Sequence, residues 1–314
     1  MSLNNGREPN LWFHDGNVIV RAGDRFCRLY RELLATQSSV LADKPADAET
    51  FNGLPVLTLP DDPDEVLVWL KSLLVPGYFE LYPRLIGPQK VLAVLRLSHK
   101  YNVSYLRQHA LHHLSTYFPT KLGDLRERYA DWTSSIKFYT DPDEHMRWLC
   151  QAYKIACEVG ATWLRPSIMY AIHSEAWPLK QDGPHQHMSA YETLDKSDLV
   201  HLYALSAGIP DTFGLALSAI WQAHSCSNCD LETDIALVQS MACRSLIDMP
   251  LQYMYLDGAF TSHLRNGLCT SCLTEFKRRY DKACSSLWKS LPGMMGLPQW
   301  SELRLQKAPD LGMT

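Results

Sequence analysis

The feature that most constrains this chain is a change of apolar period between Val18 and Leu41. Val18, Ile19 and Val20 are β-branched and follow the turn pair Asp15-Gly16, which marks the start of a strand. Ala22-Gly23-Asp24 can turn the chain, and Phe26 to Leu29 can form the return strand. From Tyr30 the spacing becomes helical, with Tyr30, Leu33 and Leu34 on one face. A hairpin that passes directly into a helix is the pattern of a small sheet flanked by helices.

The segments that follow keep to this plan. Ser38 and Ser39 precede Val40 and Leu41 and can cap a short helix. Asp43 to Gly53 is polar without a period and reads as a surface loop, and Val56 to Leu59 reads as a short buried strand. Asp61-Asp-Pro-Asp64 supplies an N-cap, a proline for the first turn and negative charge favoured by the helix dipole. Val66, Leu67, Trp69, Leu70, Leu73 and Leu74 form the apolar stripe of that helix. Gly77 and Pro83 to Pro88 mark a second loop. Val91, Leu92, Val94, Leu95 and Leu97 give one further helix, and Val103, Leu106, Ala110, Leu111 and Leu114 give another.

Taken together, Asn17-Val-Ile-Val20, the Phe26 to Leu41 stretch and Leu95-Arg-Leu-Ser-His-Lys-Tyr-Asn-Val-Ser-Tyr-Leu-Arg107 resemble a BTB/POZ domain over residues 12–118. Many members of that family open the first strand with Asp-Val and the next helix with His-Arg. Here the positions read Asn17-Val18 and Tyr30-Arg31, so a partner site built on that charged pair is not implied. Animal members often carry an extra N-terminal helix and strand that exchange between two chains. Only eleven residues precede Trp12, so homodimerisation by strand exchange is not expected. Asp15-Gly-Asn-Val18 and Leu287-Trp-x-x-Leu-Pro-x-x-x-Gly-Leu-Pro-x-Trp300 are similar to BTB proteins of mushroom-forming fungi.

The resemblance implies a non-enzymatic protein–protein interaction module. It could act as an adaptor for a cullin-type ubiquitin ligase or as a scaffold for transcription regulators. In the adaptor reading, contacts come from the surface around Tyr78 and Phe79 and from the helix end near Tyr101 and Tyr105.

Thr120 to Asp143 mixes charge with Gly123 and Pro142 and reads as a boundary, so residues 119–143 are taken as a linker. Residues 144–300 read as a mainly helical second domain. Met146, Leu149, Ala152, Tyr153, Ala156 and Val159 recur at helical spacing and stop at Gly160, a C′ glycine. Pro166 can start or kink the next helix, which runs to about Ala176, and Pro178 to Ser189 reads as a loop. Leu199, Leu202 and Leu205 lie on a helix stopped by Gly208-Ile-Pro210, and Thr212 to His224 form another. Ser271 to Ser290 is the last strong helix, and Gln252 to Leu256 is the one candidate strand after Leu59. The fold class is therefore α+β and predominantly α-helical.

Cys226-Ser-Asn-Cys229 and Cys269-Thr-Ser-Cys272 are the one constellation that suggests site chemistry. Two residues between thiolates let both sulfurs of a turn face one ion, and two such turns complete a tetrahedral, structural zinc site. His224 and His263 are reserve ligands. Unliganded thiols near a helix junction are the plainer alternative, and a redox pair is the third, although no thioredoxin-like βαβ pattern surrounds either pair. Cys27, Cys150, Cys157, Cys243 and Cys284 fall on apolar faces or amid helices and read as core.

Composition narrows the function classes. A net charge of -4 and a pI near 6.3 argue against a surface built to neutralise phosphate backbones. The competing reading is a zinc-dependent nucleic-acid-binding regulator, supported by the cysteine pairs and by Lys277, Arg278, Arg279 and Lys282. Glu275 and Asp281 offset that basic face. His109, His112 and His113 share a helix and read as a solvated flank. The sequence has no nucleophile elbow, phosphate loop, dinucleotide fingerprint or H-E-x-x-H, so an enzyme is not expected. Nor does it have an apolar N-terminal leader or an uninterrupted apolar run long enough for a membrane span. A cytoplasmic or nuclear protein with reduced thiols is expected.

Overall fold

A computed structural model describes residues 6–131, 136, 141–176, 191–222, 251 and 269–313. Its architecture is α+β and mainly helical, with a mixed five-stranded sheet of order β1-β3-β2-β5-β4. The strands are β1 (Arg7–Trp12), β2 (Val18–Ala22), β3 (Arg25–Leu29), β4 (Thr50–Phe51) and β5 (Leu54–Leu59). β2 and β3 form the antiparallel hairpin, with Val20 opposite Cys27, and β5 lies parallel to β2, with Val20 opposite Leu57. Val18, Ile19 and Val20 are all buried, as fits a strand paired on both edges.

Two strands depart from the sequence expectation. β1 pairs in parallel with β3 through an irregular register from Arg7/Phe26 to Trp12/Arg28. It carries Pro9 and no alternation, and it is a strand because β3 leaves an edge to fill. Glu8 on β1 is tied to Lys71 at 2.9 Å, and Arg7 stacks over Trp12. β4 occupies the stretch expected to be loop; it turns back on β5 through Asn52 and Gly53, both at positive φ.

The helices α1 (Arg31–Gln37), α2 (Ser39–Asp43), α3 (Pro63–Leu74), α4 (Pro88–Lys100) and α5 (Ser104–Tyr117) then cover the sheet. Their starts follow local chemistry. Ser38 Oγ accepts from the Leu41 amide, and one Asp62 oxygen accepts from the Asp64 and Glu65 amides with Pro63 in the first turn. Val91, Leu92, Val94, Leu95 and Leu97 are buried almost completely, which makes α4 the central helix of this half.

The stretch expected to be a linker contains α6 (Leu122–Asp131), whose Leu125 is buried, and Ile136, which is buried and bridges to Ile86. α7 (Pro142–Glu158) follows, capped by Asp141 and ended before Gly160 at φ 72°. A short 3-10 turn at Thr162–Leu164 leads into α8 (Arg165–Ala176). α9 (Lys196–Gln222) is one continuous helix, so Gly208 and Pro210 do not stop it. At Gly208 an added Cβ would lie 3.4 Å from the Met294 sulfur, an ordinary contact, so the helix packs against α10 (Thr270–Met294) at this point. α10 and α11 (Trp300–Asp310) complete the described chain.

Both halves share one apolar core. Trp148 on α7 donates from Nε1 to the Pro88 carbonyl at 2.9 Å and stacks on Phe118. α11 returns to the first half: Asp310 accepts from Arg107 Nη1 at 2.9 Å and from Trp163 Nε1 at 2.8 Å. The Leu311 carbonyl accepts from Gln108 at 2.7 Å and from His112 at 3.2 Å.

Candidate functional site

The connection between α3 and α4 leaves large apolar side chains in solvent. The chain leaves α3 at Val75, turns at Gly77 with φ 75°, and sends Phe79 inward. Leu81, Tyr82 and Leu85 then remain 49%, 50% and 56% exposed before Ile86 re-enters the core. Leu81 and Tyr82 line a cavity of about 540 Å³ together with Ser72 to Leu74 from α3, Val75 just after it, and Tyr105 and Leu106 from α5. Tyr105 is itself 41% exposed. Contiguous exposed apolar surface of this kind is characteristic of docking sites.

Two helices hold the loop in place. Lys90 on α4 donates to the Tyr78 carbonyl and to the Glu80 carboxylate, each at 2.9 Å, and sits over the Tyr78 ring at 4.4 Å. His113 on α5 is fully buried, and its Nε2 lies 2.7 Å from the Glu80 carbonyl. A carbonyl only accepts, so that nitrogen carries the proton. The His113 ring also meets Phe79 and Tyr82 edge-on, at 5.8 and 6.2 Å between centroids. Burial lowers the pKa of this imidazole, which favours its neutral form. The groove therefore has a fixed wall with an apolar face. Its lining suits recognition of apolar side chains better than proton transfer or nucleophilic attack.

The four tyrosine and phenylalanine candidates separate into three environments. Tyr105 faces the groove and Phe79 lines its floor, while Tyr78 is half-buried behind the loop under Lys90. Tyr101 is 3% exposed and belongs to the core. It stacks on Trp69 at 5.0 Å, and its hydroxyl donates to Asp61 at 2.5 Å. Sequence reasoning missed Leu81, Tyr82 and Leu85. The available signal was the density of apolar residues in Tyr78-Phe-Glu-Leu-Tyr82, within a segment that otherwise has loop composition.

Of the four candidate zinc ligands, Cys269 and Cys272 lie at the start of α10, with Cys269 as its N-cap, and both are partly exposed. Cys226, Cys229, His224 and His263 lie outside the described residues, as does Cys243. Among the described residues no group of three or more His, Cys, Asp or Glu side chains is arranged to hold a metal ion. Cys27, Cys150 and Cys284 are buried, and burial pushes each thiol up to about 12. Cys157, expected in the core, is instead exposed.

The remaining candidates are structural in this fold. His113 anchors the groove loop and His112 contacts the Leu311 carbonyl, so the histidine row is not a solvated flank. Arg278 and Arg279 are both held by Glu275, at 2.7 and 2.6 Å, while Asp281 pairs with Arg126 at 2.9 Å. A second cleft of about 570 Å³, between α4 and α7, has its charges paired internally. Arg96 meets Glu158 at 3.0 Å and Glu65 at 3.4 Å, and Lys154 meets Asp195 and Asp198.

No protein-family model matches this chain, and neither a curated protein nor a solved structure matches it. No helix among the described residues is long and apolar enough to cross a membrane.

Proposed function

We propose that this chain is a non-enzymatic interaction protein of BTB/POZ type that docks a partner protein in the groove between the α3–α4 loop and α5. The observation that carries this reading is the set of exposed apolar side chains, Leu81, Tyr82 and Tyr105, around a cavity of about 540 Å³, with Leu85 exposed farther along the same loop. A sheet-and-helix unit that buries its core fully yet leaves these residues in solvent has a reason to keep them there. The resemblance of residues 12–118 to BTB/POZ domains adds support, and it suggests adaptor work on a cullin-type ubiquitin ligase scaffold or a scaffold for transcription regulators. The helical second half would present the further surface that an adaptor needs.

The test is direct binding of the purified chain to a cullin N-terminal domain, measured by calorimetry and gel filtration. Tyr105→Asp and Leu81→Asp are expected to remove binding while circular dichroism stays unchanged. Absence of binding by the wild-type chain, with folding confirmed, would end the cullin assignment. The alternative of a zinc-dependent nucleic-acid regulator is weakened by the pairing of Arg278 and Arg279 with Glu275. Steeply salt-sensitive binding in a gel-shift assay would restore it.

A structural zinc at Cys226, Cys229, Cys269 and Cys272 is part of the same proposal. It rests on the paired spacing and on the placement of Cys269 and Cys272 at a helix start. Metal analysis should find about one zinc per chain, and Cys272→Ser should lower both zinc content and the stability of the second half. A metal-free chain after refolding with zinc present would refute it.

A further inference from the structure

The docking groove carries one charge that no described residue answers. Of the residues that line it, only Glu80 and Arg84 are charged. The Glu80 carboxylate is held by Lys90 at 2.9 Å, so its charge is met within the fold. Arg84 is exposed and forms no ion pair with any described residue; only its backbone is engaged, through the amide bond to the Leu81 carbonyl at 3.0 Å. Other cations near the groove are already matched: Lys71 with Glu8 at 2.9 Å and Arg107 with Asp310 at 2.9 Å. The groove is therefore apolar in its walls and singly positive at its rim, within a chain of net charge -4.

We infer that the segment which fills this groove places apolar side chains against Tyr105 and Tyr82 and an acidic residue against Arg84. This inference rests on the docking reading above and names the chemistry of the partner segment. The guanidinium is a planar fork that takes a carboxylate through two parallel hydrogen bonds, so it can read geometry as well as sign. A rim charge of this kind directs encounter and register and adds modest affinity, while the apolar contacts hold the complex. A cavity of about 540 Å³ is of the size that accepts a few side chains rather than a whole helix face.

The experiment is selection of a random peptide phage library on the full chain, run in parallel on Arg84→Glu and on Tyr105→Asp. Peptides enriched on the wild-type chain and lost on Tyr105→Asp are the groove binders. The inference expects these to combine two or more apolar residues with an Asp or Glu at a fixed spacing. On Arg84→Glu the acidic position should turn basic. A synthetic peptide from the wild-type pool should bind Arg84→Glu about threefold to fivefold more weakly by fluorescence anisotropy, with the difference shrinking at high salt. Groove binders with no acidic preference, or with equal affinity for Arg84→Glu, would overturn the charge assignment and leave the docking reading standing. No peptide dependent on Tyr105 would overturn both.

Discussion

Two Gly/Pro connections in this protein are built from similar residues and end differently. Val75 to Gly87 joins α3 to α4, and Met295 to Gln299 joins α10 to α11. Each turns at a positive-φ glycine, Gly77 at 75° and Gly296 at 63°. After Gly296 the chain folds back on itself. Trp300 stacks on Trp288 at 4.9 Å, its Nε1 donates to the Trp288 carbonyl at 2.6 Å, and the Leu297 amide donates to the Pro292 carbonyl. After Gly77, Leu81, Tyr82 and Leu85 stay in solvent. The Leu287–Trp300 motif is thus a clasp whose aromatic residues are spent on stability. The α3–α4 loop keeps its own aromatic and aliphatic residues available, which is why it is the better candidate for recognition.

Trp300→Ala would break this contrast most severely. The side chain is 95% removed from solvent and fills the turn between two helices, so truncation should cost about 3–5 kcal/mol. Urea denaturation measures it. A cost below about 1 kcal/mol would show that the clasp is no more a part of the core than the exposed loop is.

Acidification gives a second, smaller effect on the packed side of the comparison. His145 accepts from or donates to Tyr117 at 2.8 Å and stacks on Trp148; burial, with a further push from the charge of Arg128, lowers its pKa to about 4. The folded value lies below the unfolded one of about 6.5, so the unfolded chain binds more protons between the two. Stability should therefore fall as pH drops through that window, by about 2–3 kcal/mol at pH 4.5 from this residue alone. His145→Gln should flatten the slope. An unchanged slope in that variant would remove His145 as its source.

These contrasts were only partly legible in the sequence. Val18 to Leu29 could be read because β-branched residues and Gly23-Asp24 state a hairpin locally. β1 could not, because Arg7 to Trp12 becomes a strand only when β3 offers it an edge. Gly208 and Pro210 look like breakers, yet α9 runs through them where packing against α10 outweighs local propensity. Tyr101 and Tyr105 sit four residues apart and look alike as letters; one is sealed by Trp69 and Asp61, the other faces the groove. Exposure of an aromatic depends on what lies across from it, and that partner is set by the fold.

The smallest stability effect is the sharpest test of the comparison. Leu81→Ser and Tyr82→Ser, alone or together, should change the unfolding free energy by no more than about 0.5 kcal/mol each, since both side chains are half in water already. Their effect should appear instead in partner binding, because the apolar wall of the groove would be lost while Phe79, His113 and Lys90 still hold the loop. Denaturation and calorimetry on the same preparations separate the two readouts. A loss of more than about 1 kcal/mol in stability would mean that the loop residues pack as the clasp residues do. The groove would then be a flaw in core packing rather than a place kept open for another protein.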